Sequence, residues 1–366
     1  MNILYYLTAH GYGHAVRSCA ICNEFSGDVR VSFRTLIPRK FFEEEVRRPF
    51  GHFPAQFDCG CIQSDSVTVH KEETLQTYMQ LAQKNEARLH DEVKWCLDQG
   101  VEGIVSDITP FAFEVANKAG LPSIAATNFT WYDIYEPYVK DYPAFHPYLE
   151  KMRKQYQGGD LLVELMPSNG MAYFRDRVKV PLVGRTGQDI RDQLKNKFGL
   201  AEEKHIGLIY VGEFGMDNMP WKKLEKLRDW DFIGIYPLPG GAANYHRVCK
   251  EDFPYPDLVA SAGVMISKIG YGVFSECLLN GTPLIYLDRE DFAEYPVLEK
   301  AISEWGYGFR LSRDDYCLLN WERALAQAAF GRKPKPQLSD GPRICAREIE
   351  DAVRRGTREA RTSKGR

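Results

Sequence analysis

Short apolar runs alternate with longer stretches of helical spacing along most of this chain. Residues 2–9 form an apolar run that ends at His10-Gly11-Tyr12-Gly13-His14, and residues 15–22 then carry apolar positions at helical intervals. Residues 29–37 predict a second strand and residues 53–62 a third with weaker alternation. Leu75, Tyr78, Ala82, Leu89, Val93 and Cys96 recur at helical spacing across residues 71–98, which predicts one long amphipathic helix. Residues 103–107, 122–126 and 161–166 are further strands, the last closing the first sheet. The pattern then repeats, with strands at 205–211, 231–236, 264–267 and 283–287. Strand followed by helix, repeated in two blocks, predicts an α/β chain of two Rossmann-like halves.

A length of 366 residues suits two domains, each with its own core. Pro181, Gly184 and Gly187 mark the break between them. The division is an amino-terminal domain over residues 1–183, a linker over 184–190, a second domain over 191–335, and a terminal helix with a basic tail over 336–366. From residue 354 onward the composition is basic and polar and reads as an irregular tail, with anionic lipid as a rival use.

A net charge of −3 gives no overall pull toward nucleic acid or an anionic membrane. The first residues lack a basic start and a cleavage site, and no apolar run reaches the length of a membrane span. The expectation is a cytoplasmic protein with at most peripheral membrane contact. Nine scattered cysteines show no repeated pair at zinc spacing and read as reduced thiols.

Chemistry concentrates at two glycine loops. In the second half, the strand at 264–267 meets Gly270-Tyr271-Gly272, then a helix that stops at Asn280-Gly281. Glycines let a backbone approach a ligand, and the start of a helix directs N–H groups and a positive dipole end at an anion. Glu276, one turn in, is placed to accept hydrogen bonds from ribose hydroxyls; a plain packing turn is the competing reading. Asp288, Glu290, Asp291 and Glu294 crowd the carboxyl end of the next strand, where open α/β sheets bind ligands. In the first half, His14 stands at or beside a helix start, which favours the neutral imidazole able to accept a proton. His10 is the competing candidate. Asp107, at the end of a buried strand, is read either as a helix cap or as a partner for a histidine. The aromatic and amide-rich run from Thr127 to Tyr138, with Asn128 and Trp131, suits a sugar-like acceptor or ordinary core packing.

Residues 267–306, together with Gly13-His14-Ala15-Val16-Arg17, resemble the signatures of GT-B glycosyltransferases. The likeness is nearest to the transferase-like amino-terminal portion of L-arabinose kinases and to the lipid II-forming N-acetylglucosaminyl transferase family. Arg17 stands where many inverting members have proline, and Asn128-Phe129-Thr130-Trp131 is similar to the kinase-like relatives.

The resemblance implies two Rossmann-like domains facing across a cleft and an inverting transfer from a nucleotide sugar, usually a UDP-sugar, to an acceptor hydroxyl. It makes His14 the base and Asp107 its orienting partner. The donor falls to Gly13, Gly212, Lys268, Gly270, Tyr271, Gly272, Val273, Glu276, Asp291 and Glu294, and the acceptor side to His10, Asn128 and Trp131. The nucleotide sugar is a substrate and no cofactor is implied. A helix start in place of a divalent cation implies no metal. The acceptor, whether small molecule, lipid-linked or glycan, is left open. A nucleotide-sugar epimerase or hydrolase, or a non-catalytic nucleotide-sugar-binding module, remains the alternative.

Overall fold

The computed structural model describes residues 1–64, 68–211, 219–287, 291–331 and 333–364, the last seven as backbone alone. The chain divides into two compact units. One comprises Met1–Ile62, Val69–Val183 and Asp340–Arg366, the other Gln63–Thr68 and Gly184–Ser339.

The first unit is built on a parallel seven-stranded sheet. Its strands are β1 (Asn2–Leu7), β2 (Arg30–Arg34), β3 (Phe50–Phe53), β4 (Gly103–Asp107), β5 (Ser123–Thr127), β6 (Leu161–Leu165) and β7 (Arg177–Val180), in the order β3-β2-β1-β4-β5-β6-β7. All five residues of β4 and of β5 are buried, as strands covered on both faces require. The strand order reverses between β1 and β4, and the register sets Leu7 beside Asp107. Two strand ends thus meet at the point where open sheets of this type bind ligands.

Three expectations change here. The third strand is Phe50–Phe53 and not residues 53–62. Pro54 follows directly, has no N–H for the ladder, and ends an edge strand. Strand β6 does not close the sheet, because β7 pairs beyond it through Leu162 to Arg177 and Leu165 to Val180. Residues 142–148, whose prolines and aromatic rings read in the sequence as an irregular continuation of the run from Thr127, form the 3-10 turn Pro143–Phe145 and the start of the helix His146–Gln157.

The helix Gly341–Lys364 belongs to this first unit and replaces the irregular tail expected from Arg354. Cys345, Ala346, Ile349 and Val353 are fully or almost fully buried along one stripe. Glu350 accepts hydrogen bonds from the Ser26 amide and hydroxyl, both at 2.7 Å, and Arg354 pairs with Glu350 one turn back. Val353 lies so close to Gly103 that a Cβ there would stand 2.4 Å from its Cγ2. Ile349→Ala is therefore expected to lower unfolding free energy by about 2–5 kcal/mol, read as a shift in the urea midpoint. An unchanged midpoint would show that this helix contributes nothing to the unit.

The second unit holds β8 (His205–Tyr210), β9 (Trp230–Gly234), β10 (Tyr245–Arg247), β11 (Val264–Lys268), β12 (Leu284–Leu287) and β13 (Gly308–Leu311). They form a parallel sheet in the order β10-β9-β8-β11-β12-β13. One face packs Ile209, Trp221, Trp230, Phe232, Ile266, Ile285 and Trp321 into a core. The order reverses between β8 and β11, so the loop after β11 opens at this sheet's own switch point. The helix Tyr271–Asn280 that follows stops at Gly281, whose φ of 63° favours glycine. A Cβ there would also lie 2.3 Å from the Pro334 carbonyl oxygen.

Among the described residues, no helix is long and apolar enough to cross a membrane.

Candidate functional site

The loop after β1 carries the first cluster. Gly11, with φ of 84°, precedes the helix Tyr12–Cys22, which no side chain caps. A Cβ on Gly11 or Gly13 would meet nothing within 4 Å, so both positions border open space. His14 is the third residue of that helix and is 8 % exposed.

Its Nδ1 lies 2.9 Å from Oδ1 of Asp107, the last residue of β4. Asp107 does not cap the next helix, whose N-cap is Pro110. Its carboxylate accepts instead from Arg17 Nε at 2.7 Å, Arg17 Nη2 at 2.5 Å and Ser18 Oγ at 3.0 Å. Burial alone would push this carboxyl up, but the charges of Arg17 and His14 and their hydrogen bonds hold it down at about 2. It is an ionised, fully buried anion.

The expected acceptor-side residues support this cluster from inside. Asn128 is fully buried and its Oδ1 accepts from Arg17 Nη1 at 2.5 Å. Trp131, also fully buried, meets the His10 ring edge-on at 5.3 Å and stacks on Tyr135 at 5.7 Å. Both are fully buried and touch Arg17 or the histidine rings. His10 is half-buried, and its Nδ1 accepts from the Cys61 amide at 3.3 Å.

Sequence reasoning missed Asp58. It is 5 % exposed and accepts from Thr8 Oγ1 at 2.6 Å and Thr109 Oγ1 at 2.5 Å. Burial pushes its carboxyl up against those hydroxyls and the charge of His14. Nothing local distinguishes Asp58, which lies after β3 and beyond any regular element.

The second cluster follows β11. Lys268 ends that strand, and Gly270 precedes a helix start without a side-chain cap. A Cβ on Gly270 would meet nothing within 4 Å. Tyr271, Gly272 and Val273 form the first turn, whose amides face out of the helix end. Glu276 is 3 % exposed, and its Oε1 takes Arg185 Nε at 2.6 Å. Arg185 was not foreseen, because its partner lies 91 residues away. Asn280 ties the same segment down, donating to the Arg185 carbonyl at 3.1 Å and accepting from the Gly187 amide at 2.8 Å.

Asp291 is exposed and Glu294 buried just before the helix Tyr295–Trp305. Gly212, Asp288 and Glu290 lie outside the described residues. The sequence does contain an Asp-x-Asp, at Asp229-Trp230-Asp231. Asp231 is spent inside β9, however, 3.3 Å from Lys204 Nζ and 3.4 Å from His246 Nε2.

No family model matches the chain. L-arabinokinase of Arabidopsis thaliana is 30 % identical over 337 residues, covering 88 % of this chain and 32 % of that protein. The chain thus spans about a third of the length of that curated relative. Solved structures match along nearly the whole chain. The glycosyltransferase of kitacinnamycin superposes with a TM-score of 0.63 at 14 % identity, covering 99 % of this chain and 98 % of that one. Arabidopsis thaliana UGT89C1 gives 0.62 at 13 % identity, with 98 % of each chain covered. Phytolacca americana UGT2, complexed with UDP-2fluoro-glucose and pterostilbene, gives 0.57 at 12 % identity over 100 % of both chains. The chain has the GT-B fold seen in these glycosyltransferases.

Proposed function

We propose that this protein is an inverting glycosyltransferase that moves a sugar from a nucleotide diphosphate donor, by preference a UDP-sugar, to an acceptor hydroxyl. The observation that carries this reading is the 2.9 Å contact between His14 Nδ1 and the buried Asp107 carboxylate at the switch point of the first sheet. An anion on Nδ1 leaves Nε2 as the basic nitrogen and stabilises the imidazolium as it forms. The acceptor oxygen, losing its proton to Nε2, attacks the anomeric carbon, and the bond to the diphosphate breaks with inversion.

The second unit would bind the donor. The amides after Gly270 take the diphosphate, with Lys268 alongside, and this helix start stands where other transferases use a divalent cation. Glu276, already oriented by Arg185, would accept from the ribose on its carboxylate. Asp291 and Glu294 would face the sugar.

A panel of nucleoside diphosphates and nucleotide sugars, read by thermal shift, tests the donor side, because a ligand of the native state raises the melting temperature. UDP is expected to stabilise, and Glu276→Gln to weaken its binding about tenfold or more, the range for hydrogen bonds to a charged group. No stabilisation by any nucleotide would overturn the reading. The likeness to a kinase of about three times this length favours a second reading, a nucleotide-sugar-binding module within a larger activity. Donor binding without transfer to any acceptor would support that module, and rapid donor hydrolysis without acceptor would point to a hydrolase.

A further inference from the structure

Arg17 is 2 % exposed and donates to four groups of the first unit: both Asp107 oxygens, Asn128 Oδ1 and Thr127 Oγ1. Its Nη2 also lies 2.9 Å from His14 Nδ1, the same distance that separates Nδ1 from Asp107. Two tautomers compete at that spot. If Nδ1 accepted from Arg17, the imidazole hydrogen would sit on Nε2 and the ring would offer a substrate no base. If Nδ1 carries the hydrogen, it donates to Asp107 and Nε2 keeps its lone pair.

Counting hydrogens decides between them. Nη2 has two, and its acceptors at 2.5 and 3.0 Å are Asp107 Oδ1 and Thr127 Oγ1. The Thr127 hydroxyl gives its own hydrogen to the Phe129 carbonyl at 2.7 Å, so toward Arg17 it can only accept. Both Nη2 hydrogens are spent, and none remains for Nδ1. The carboxylate, being ionised, has none to give either.

We infer that Arg17 is a positioning residue for His14: its bonds to both Asp107 oxygens hold that carboxylate against Nδ1, which keeps the ring hydrogen on Nδ1 and the lone pair on Nε2. This rests on the reading of His14 as base. Arg17 has a second effect, because its permanent cation compensates Asp107 before the imidazolium forms. Among the described residues, the other groups near the ring are Asp58 from the segment after β3 and the uncharged rings of Phe129 and Trp131, while His10 meets the same Trp131 ring. Of these only Asp58 is an acid, and its hydroxyl partners and burial are independent of Arg17.

Nitrogen NMR of the histidine rings in the full chain, with His14 assigned by its absence from His14→Ala, reads which nitrogen carries the hydrogen. The expected result is a hydrogen on Nδ1; a hydrogen on Nε2 in the wild type overturns the inference without any variant needing to fold. Arg17→Met, which removes the cation at similar length, is expected to mix the tautomers and to move the acid limb of the pH–rate profile upward by about one unit or more. Arg17→Lys, which keeps the charge, is expected to hold the limb near its original position. A folded Arg17→Met protein with the wild-type tautomer and an unmoved limb would show a packing role alone. Full activity in His14→Ala would instead remove the base while leaving the tautomer result intact, so the two readings fail separately.

Discussion

Under the proposed function, His14→Ala is expected to lower kcat for sugar transfer by about 10²- to 10⁴-fold, the range that a positioned general base contributes, and to leave UDP binding unchanged. An imidazole suits a general base because its ordinary pKa lies near neutral pH, where the basic form is available while proton transfer from the attacking hydroxyl is still driven. Its hydrogen bond to a buried anion also has to exist before the substrate arrives. Both conditions meet at the third residue of the helix Tyr12–Cys22, set against the end of β4. The residues proposed for the donor after β11 belong to another unit of the chain, so kcat should fall while the thermal shift with UDP persists. A loss of both would show that His14→Ala unfolds the protein, and a loss of neither would remove His14 from the chemistry.

Asp107→Asn carries the largest expected cost in stability, about 3–5 kcal/mol, the usual result of leaving a buried charge without its partner. Arg17 would keep its cation at 2 % exposure beside the neutral acceptors Asn128 and Thr127. The pH dependence follows from the direction of the shift. Asp107 titrates at about 2 in the folded chain, below the ordinary carboxylate value. Its contribution to stability is therefore fully present above the unfolded value and disappears as pH falls through the folded one. Denaturant unfolding at pH 7 and at successively lower pH should show the gap between wild type and Asp107→Asn narrowing below about pH 4. Asp58, raised by burial, works in the opposite direction and is untouched by this substitution. A constant gap across that range would mean that another group sustains the network.

The two glycine loops were legible from residue types alone. A run of buried residues ending in Gly-x-Gly needs nothing distant to announce a strand, a turn and a helix start, and both loops stand there in the structure. Asp107 was legible only as a choice between capping and pairing, because the deciding partner is 93 residues away. Arg17 could be seen as a departure from the pattern it resembles. Its work could not, since that depends on β4 and on the segment after β5 coming to its side. Arg185 and Asp58 were missed for the same reason: each is defined by contacts across the fold. The edge strands β3, β7 and β10 escaped because they have three or four residues each and, apart from Val180, no fully buried position to mark a strand. The terminal helix was misread beyond Arg354 because its basic face resembles a solvated tail, while the buried stripe that anchors it lies further upstream.

The central claim is that a nucleotide diphosphate sits on the helix start after Gly270. A crystal of the full chain soaked with UDP tests it most directly. The account predicts diphosphate oxygens within hydrogen-bond distance of the Gly272 and Val273 amides and a ribose hydroxyl on the Glu276 carboxylate. UDP bound elsewhere, with Tyr271 and its neighbours packed across that helix end, would contradict it.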